Sequence, residues 1–455
     1  MNPMNSRAAQ ARTTSIRPLM LAILCTAVAL CGCQPATQQT ATTSAAGAAQ
    51  QTLSGVAQLG KSLYFDTSLS ASGTMSCATC HDPNYHYGPP NDGAVQFGGP
   101  ALDLPGARVA PEITYDLRNP NFSIGPDNPE QEGASVSQQA AAATGLAPTL
   151  KTAGGATSNA LVPQGGLFWD GRANTLQEQT AGPLFNPVEM ANHDIADLAA
   201  RIANGDYADD FVKLFGANVL NNPQLLVSEA ENAIARFEFE DASFHPYSSK
   251  YDYYLAGKEQ LTATEMRGLQ SFENPAKGNC AACHLDRLTA DGRPPMFTDF
   301  QYEALGVPRN SAIAANADTR YYDLGLCGPF RTDLNSQSNY CGIFRTPSLR
   351  NVATRRVFFH NGVFQTLDQV LRFYALRDIE PAQFYPVNSD GSVDKFNDLP
   401  VTYRGNIDTV DVPFNRHPGD TPALNDDDIQ DIIAFLNTLT DGYRPANAYM
   451  AGGNS

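Results

Sequence analysis

Cys77-Ala78-Thr79-Cys80-His81 is the stretch from which the rest of this chain can be read. Two cysteines separated by two residues and followed at once by histidine form the attachment pattern of c-type haem. The spacing has a physical reason. Both thiols must reach the vinyl groups of one porphyrin, and the histidine of the same turn must face its iron. The motif returns as Cys280-Ala281-Ala282-Cys283-His284. Two such cysteine pairs can also build a four-cysteine zinc site, but zinc gives no reason for a histidine after each pair. The sequence therefore predicts two covalent haems, attached through Cys77 and Cys80 and through Cys280 and Cys283, with His81 and His284 as iron ligands.

A chain of 455 residues holds two to three ordinary domains, and one motif in each half favours two. The formal net charge of −17 argues against nucleic acid. It suits a basic electron-transfer partner and equally a plain soluble surface. Residues 1–33 read as an export signal: Arg7, Arg12 and Arg17 precede an apolar run from Leu19 to Leu30, too short to span a membrane. The run ends Leu30-Cys31-Gly32-Cys33, which resembles a bacterial lipoprotein box and implies a lipid on Cys33. That lipid would be the only link to a membrane and would hold the protein at the outer membrane. Ordinary cleavage nearby would instead release it into the periplasm. In that oxidising compartment the cysteines left over, Cys327 and Cys341, are expected to pair and to staple the loop leading into Arg345.

Residues 34–51 are an Ala/Thr/Gln/Ser tract that cannot bury a core and reads as a flexible linker. Helical spacing begins at Leu53, Val56, Ala57 and Gly60. From Asp82 to Gly145 the chain is rich in Gly, Pro, Asn and Asp, the composition of a long loop. Helical patterns follow over Ile195–Ile202, Ala208–Phe215 and Leu225–Phe237. Thr262 to Glu265 form a capping box, and Asn425 caps a helix with Ile429, Ile432, Ile433 and Leu436 on one face. The approaches to the two motifs look alike, Gly60-Lys61-Ser62-Leu63-Tyr64-Phe65 against Gly268-Leu269-Gln270-Ser271-Phe272. The expected fold is mainly α.

Between the motifs lie Phe168-Trp169-Asp170-Gly171-Arg172 and Asn186-Pro187-Val188-Glu189-Met190, and Trp169 is the single tryptophan. From composition alone, a lone Trp reads as core. These segments, with Leu59–Lys61, Cys77–His81, Thr346–Val352 and Phe359–Gly362, resemble the bacterial di-haem cytochrome c peroxidase/MauG family over residues 53 to 440. The resemblance implies two cytochrome c-like haem domains with long irregular loops, residues 52–245 and 246–455. It implies that hydrogen peroxide reacts at the N-terminal haem and that the C-terminal haem stores or relays electrons. In the family a tryptophan lies between the haems, which Trp169 matches. A glutamine ten positions later and a glutamate twenty positions later line the peroxide pocket, and they match Gln179 and Glu189. Without the family, Glu189 would read as a surface carboxylate.

Many members cap the resting N-terminal haem with a histidine from the loop after the first motif. Only His86 lies close behind it, too near to His81 to reach the opposite face. The first haem is therefore read as open, or capped by a group the sequence does not show. Other members ligate the second iron with a methionine, but this chain has none between Met296 and Met450. Tyr374 matches the tyrosine that takes this place in MauG-type members, where a phenolate favours higher oxidation states. The alternative is a core tyrosine continuing the face of Leu367, Val370 and Leu371. Calcium-binding members carry an Asn before an Ala-Pro-Thr turn, where this chain has Leu146, so the resemblance does not extend to calcium. Arg345 and Arg350 read as partners of haem carboxylates or as surface ion pairs. His193, His245 and His417 read as exposed, and His360 as a hydrogen-bonding turn residue.

The reading is a peroxide-using di-haem enzyme that oxidises a partner protein. Peroxide removal with electrons from a small cytochrome is the alternative within the class. An electron-transfer cytochrome without peroxide turnover is the alternative outside it.

Overall fold

The computed structural model describes residues 52–126, 161–289 and 291–445. The export signal with Cys33, the 34–51 tract and the turn after Leu146 lie outside these residues. The described chain is mainly helical. Its strands form three two-stranded antiparallel pairs, among them β3 (Ser123–Pro126) with β4 (Leu161–Gln164) and β5 (Tyr302–Glu303) with β6 (Phe344–Arg345). The first pair, β1 (Phe97–Gly98) and β2 (Leu104–Pro105), lies in the stretch from Asp82 to Phe122, whose other elements are 3-10 turns. No described helix is long and apolar enough to cross a membrane.

One hydrophobic cluster gathers around the first motif. Helix α1 (Gly55–Phe65) starts at Ser54, whose hydroxyl accepts from the Ala57 N–H. After the single turn α2 (Cys77–Cys80) come α3 (Leu176–Phe185), α4 (Ile195–Ala203), α5 (Ala208–Phe215) and α6 (Pro223–Glu240). Leu59, Leu63, Leu198, Ile202, Phe211 and Phe237 are buried together there. The sequence periodicity places α4 and α5 within a residue of their observed ends. It starts α6 two residues late because Asn222 caps the helix and Pro223 takes its first turn.

A second cluster surrounds the second motif. It is built from α7 (Lys250–Leu255), α8 (Ala263–Glu273), α9 (Leu367–Leu376) and α10 (Asp426–Asn437). Both expected caps are present: Thr262 and Glu265 form a capping box on α8, and Asn425 and Asp428 form one on α10.

The two clusters repeat one packing device. A Cβ on Gly60 of α1 would fall 1.7 Å from the Ala233 carbonyl oxygen of α6. A Cβ on Gly268 of α8 would fall 1.9 Å from the Asp431 carbonyl oxygen of α10. In each case the helix leading to a CxxCH motif rests directly on the backbone of a later helix, a contact only glycine permits. Cys327 and Cys341 form the expected disulfide, with Cα atoms 4.7 Å apart, just before β6.

Candidate functional site: two CxxCH turns and the residues between them

The first motif is a one-turn helix capped at both ends. Ser76 and Thr79 form its capping box, and the His81 N–H closes the turn on the Cys77 carbonyl at 2.9 Å. The His81 Nδ1 lies 3.2 Å from the Tyr87 carbonyl oxygen. That contact puts the ring proton on Nδ1 and the lone pair on Nε2, the tautomer that binds metal. The second motif repeats the arrangement, with His284 Nδ1 2.8 Å from the Phe297 carbonyl. Burial pushes both imidazoles down to about 4, against the pull of their carbonyl partners, so each ring is neutral at neutral pH. None of the four motif cysteines is in a disulfide. Burial pushes the thiols of Cys77 and Cys280 up to about 12 and that of Cys80 to about 11.

A deep, largely apolar cavity opens beside the second motif. Cys280, Cys283 and His284 line it together with Tyr374, Trp169 and Arg345. The Nε of Arg345 is buried there without a hydrogen-bond partner, an unmet donor that suits a haem carboxylate. Cysteine pair, neutral imidazole, apolar walls and this guanidinium together fit a c-type haem. Tyr374, on α9, is held between Phe359 at 6.1 Å and Phe414 at 5.2 Å. Burial, then the nearby Cys280 and Cys283, keep its phenol protonated well above the ordinary range. Trp169 is half-buried against this cavity and belongs to neither hydrophobic cluster. Its indole N–H donates to the Val109 carbonyl at 2.9 Å, and its own carbonyl accepts from the Arg345 N–H at 3.0 Å.

Glu189 belongs to the first motif's surroundings. It lies near enough to Cys80 for its charge to raise that thiol. Asn186, which ends α3, donates from Nδ2 to Glu189 Oε1 at 2.5 Å. Burial raises the carboxyl above its ordinary value, and Arg172 and Asn186 only partly oppose it. Gln179 stands half-buried in α3. The β1–β2 hairpin clamps the Glu189 backbone: the Gly99 N–H donates to the Glu189 carbonyl at 2.8 Å, and a Cβ on Gly98 would stand 2.7 Å from the Glu189 Cα. Two adjacent glycines in a loop were the only sequence signal of that clamp.

Several side chains depart from the sequence reading. Arg350 is no surface residue. It is buried, with its guanidinium bonded to both oxygens of Asp252 at 2.9 and 3.1 Å and to the Pro295 carbonyl at 2.8 Å. His360 stacks its ring on Phe344 at 3.6 Å, and its carbonyl accepts from the Val109 N–H. His193 and His417 are exposed, while His245 is half-buried with Nε2 3.0 Å from the Phe239 carbonyl. A buried network beside Trp169 has no signature in the sequence. Arg108 binds both oxygens of Asp323 at 2.6 and 2.7 Å and Asp170 at 2.7 Å, and Arg172 takes the other Asp170 oxygen at 2.8 Å. Glu112, also on the cavity wall, is half-buried beside Arg355, accepts from Asn351 at 2.9 Å and from Thr114, and is pushed up to about 8, chiefly by desolvation.

Residues 54–260 match the family model described as di-haem cytochrome c peroxidase. The methylamine utilization protein MauG of Paracoccus denitrificans is 34% identical over 72% of this chain and 77% of its own length. The cytochrome c551 peroxidase of Nitrosomonas europaea is 28% identical over 70% of this chain and 71% of its own. Among solved structures, the diheme peroxidase BthA from Burkholderia thailandensis superposes with a TM-score of 0.71 at 38% identity, covering 85% of this chain and 86% of that one. A tyrosine-to-methionine variant of BthA gives the same score. With two CxxCH turns whose histidines are each held by a backbone carbonyl and these relatives matched over most of their lengths, the chain belongs to the di-haem cytochrome c peroxidase/MauG family and is a di-haem peroxidase with two covalent c-type haems.

Proposed function

We propose that this protein is a MauG-type peroxidase that faces the periplasm and oxidises a partner protein at the expense of hydrogen peroxide. The observation that carries this reading is Tyr374 in the wall that also holds Cys280, Cys283 and His284, in a chain without a methionine for that place. Residues 52–245 would hold the haem of His81 and residues 246–455 the haem of His284 and Tyr374. When bound, the haems would supply redox-active iron, the first for peroxide and the second for holding oxidising equivalents at the high oxidation states a phenolate ligand favours.

The chain's own residues handle the protons. Peroxide must lose one proton to bind and its outer oxygen must gain one as the O–O bond breaks. The Glu189 carboxylate takes the first on Oε and returns it to the departing oxygen, which leaves as water. Such acid–base assistance is typically worth about 10²–10⁴-fold. Gln179 holds peroxide by hydrogen bonds without competing for the proton. Trp169, pinned through its indole N–H and its carbonyl, couples the two haem sites. A lipid on Cys33 would anchor the enzyme to the outer membrane. Simple peroxide removal is the second reading, favoured by the −17 net charge, which would attract a small basic cytochrome.

The test is electron paramagnetic resonance of the resting ferric protein, followed by one equivalent of peroxide. One high-spin and one low-spin haem, reacting at once without prior reduction, is the expected result. Two low-spin haems that react only after reduction would favour simple peroxide removal. Two that stay inert even then would leave an electron carrier.

A further inference from the structure

Tyr115 is fully buried, and its hydroxyl donates to Asp441 Oδ2 at 2.8 Å across 326 residues of sequence. It also accepts from the Tyr247 N–H at 3.0 Å. Asp441 is itself buried and held from the other side. Its Oδ1 accepts from the Ser248 N–H at 2.8 Å and from the Ser248 hydroxyl at 3.2 Å, and its N–H donates to Asn351 Oδ1 at 2.8 Å. The phenol is thus aimed at a fixed carboxylate oxygen in a water-poor site.

The position of this pair matters as much as its geometry. Thr114 and Asp116, on either side of Tyr115, line the cavity of the second motif. The Tyr115 ring packs with Met296, which lines the same cavity. Toward the first motif, the Tyr115 N–H donates to the Phe244 carbonyl at 2.7 Å. Phe244 stacks at 3.8 Å on Tyr87, whose carbonyl meets the His81 ring. Tyr115 therefore stands one side chain from one haem site and a short packed path from the other.

We infer that Tyr115 is a redox-active tyrosine that gives one electron to the peroxide-oxidised enzyme as its phenolic proton passes to Asp441. The inference rests on the peroxide reading above, which supplies the oxidant. The balance is simple. One electron leaves the ring and lowers the oxidation level of the enzyme by one, the O–H bond breaks, and Asp441 Oδ2 gains the proton and becomes neutral. An electron from the substrate later reverses the step. The Arg350 guanidinium lies 4.7 Å over the Tyr115 ring, so a positive charge left on the ring would be strongly disfavoured. Electron and proton must therefore leave together. Burial and the Asp441 charge outweigh Arg350 and keep the phenol protonated far above neutral pH, so simple ionisation is not its chemistry.

The test uses the full chain with both haems, made with tyrosine deuterated at its methylene carbon. It is mixed with one equivalent of hydrogen peroxide and frozen for paramagnetic resonance, while haem absorption is followed in parallel. The expected result is an organic radical signal that the label narrows. Tyr115→Phe and Asp441→Asn should each lose it, while haem absorption still responds to peroxide. Asp441→Asn keeps a hydrogen-bond acceptor in place but cannot take the proton, so it carries the test should Tyr115→Phe not fold. A haem response with no tyrosyl signal, or a signal that survives in Tyr115→Phe, would overturn the inference alone and leave Tyr115 as a structural tie to Asp441. No haem response in the parent protein would overturn the peroxide reading and this inference together.

Discussion

Asn186 closes a tight turn on Glu189, taking the Glu189 N–H on its carbonyl at 3.0 Å and giving its side-chain N–H to Glu189 Oε1 at 2.5 Å. The carboxylate is thereby aimed before any peroxide arrives. Glu189→Gln keeps the size and the turn but removes the proposed base. Its reaction with peroxide should slow by about 10²–10⁴-fold, with haem content unchanged by absorption. Stopped-flow rates equal to the parent's would remove Glu189 from the mechanism.

The same bond sets a pH dependence. In the mechanism proposed above the working form of Glu189 is the carboxylate, and burial raises the pH at which that form is lost. The rate should therefore fall on the acid side, beginning above the ordinary carboxylate range. Asn186 opposes the rise by bonding the charged form. Asn186→Ala should move the acid limb to higher pH. A limb that stays in place, or moves to lower pH, would contradict this electrostatic account.

Tyr374 offers a spectral test. Tyr374→Phe removes the phenolic oxygen from the cavity and leaves the Phe359 and Phe414 packing. If the phenolate is a ligand, the absorption and resonance spectra of one haem should change and those of the other should not. Tyr374→Met should raise the potential of that same haem, since a thioether favours ferrous iron. Unaltered spectra in both variants would make Tyr374 a packing residue.

What the sequence disclosed and what it hid follow a physical division. Local order is written in spacing, so α5, the Thr262 and Asn425 caps and the CxxCH turns were all legible. The Cys327–Cys341 pair followed from compartment and count. Contacts between distant residues leave no spacing to read. Arg350 could not be matched to Asp252, nor Arg108 to Asp170 and Asp323, because any of many acidic residues was an equal candidate. Tyr115 and Asp441 were invisible for the same reason. The roles proposed for Gln179, Glu189 and Trp169 rest on the family pattern, since neither spacing nor composition marks a single residue for them.

Gly60 and Gly268 test whether the two clusters are separate units. In a helix interior, Ala is ordinarily better than Gly by about 1 kcal/mol. Here the added methyl would fall 1.7 Å from the Ala233 oxygen or 1.9 Å from the Asp431 oxygen, both backbone atoms that cannot swing aside. Overpacking of this kind typically costs about 1–3 kcal/mol and sometimes more, so it outweighs the helix gain and the sign reverses. Gly60→Ala should lower stability in the cluster of α1 and α6, and Gly268→Ala in that of α8 and α10. Urea unfolding, followed through the two haem signals separately, should then show the spectrum of the His81 haem changing first in Gly60→Ala and that of the His284 haem first in Gly268→Ala. If both signals instead move together in each variant, the chain unfolds as one cooperative unit and the division near residue 245 has no energetic meaning.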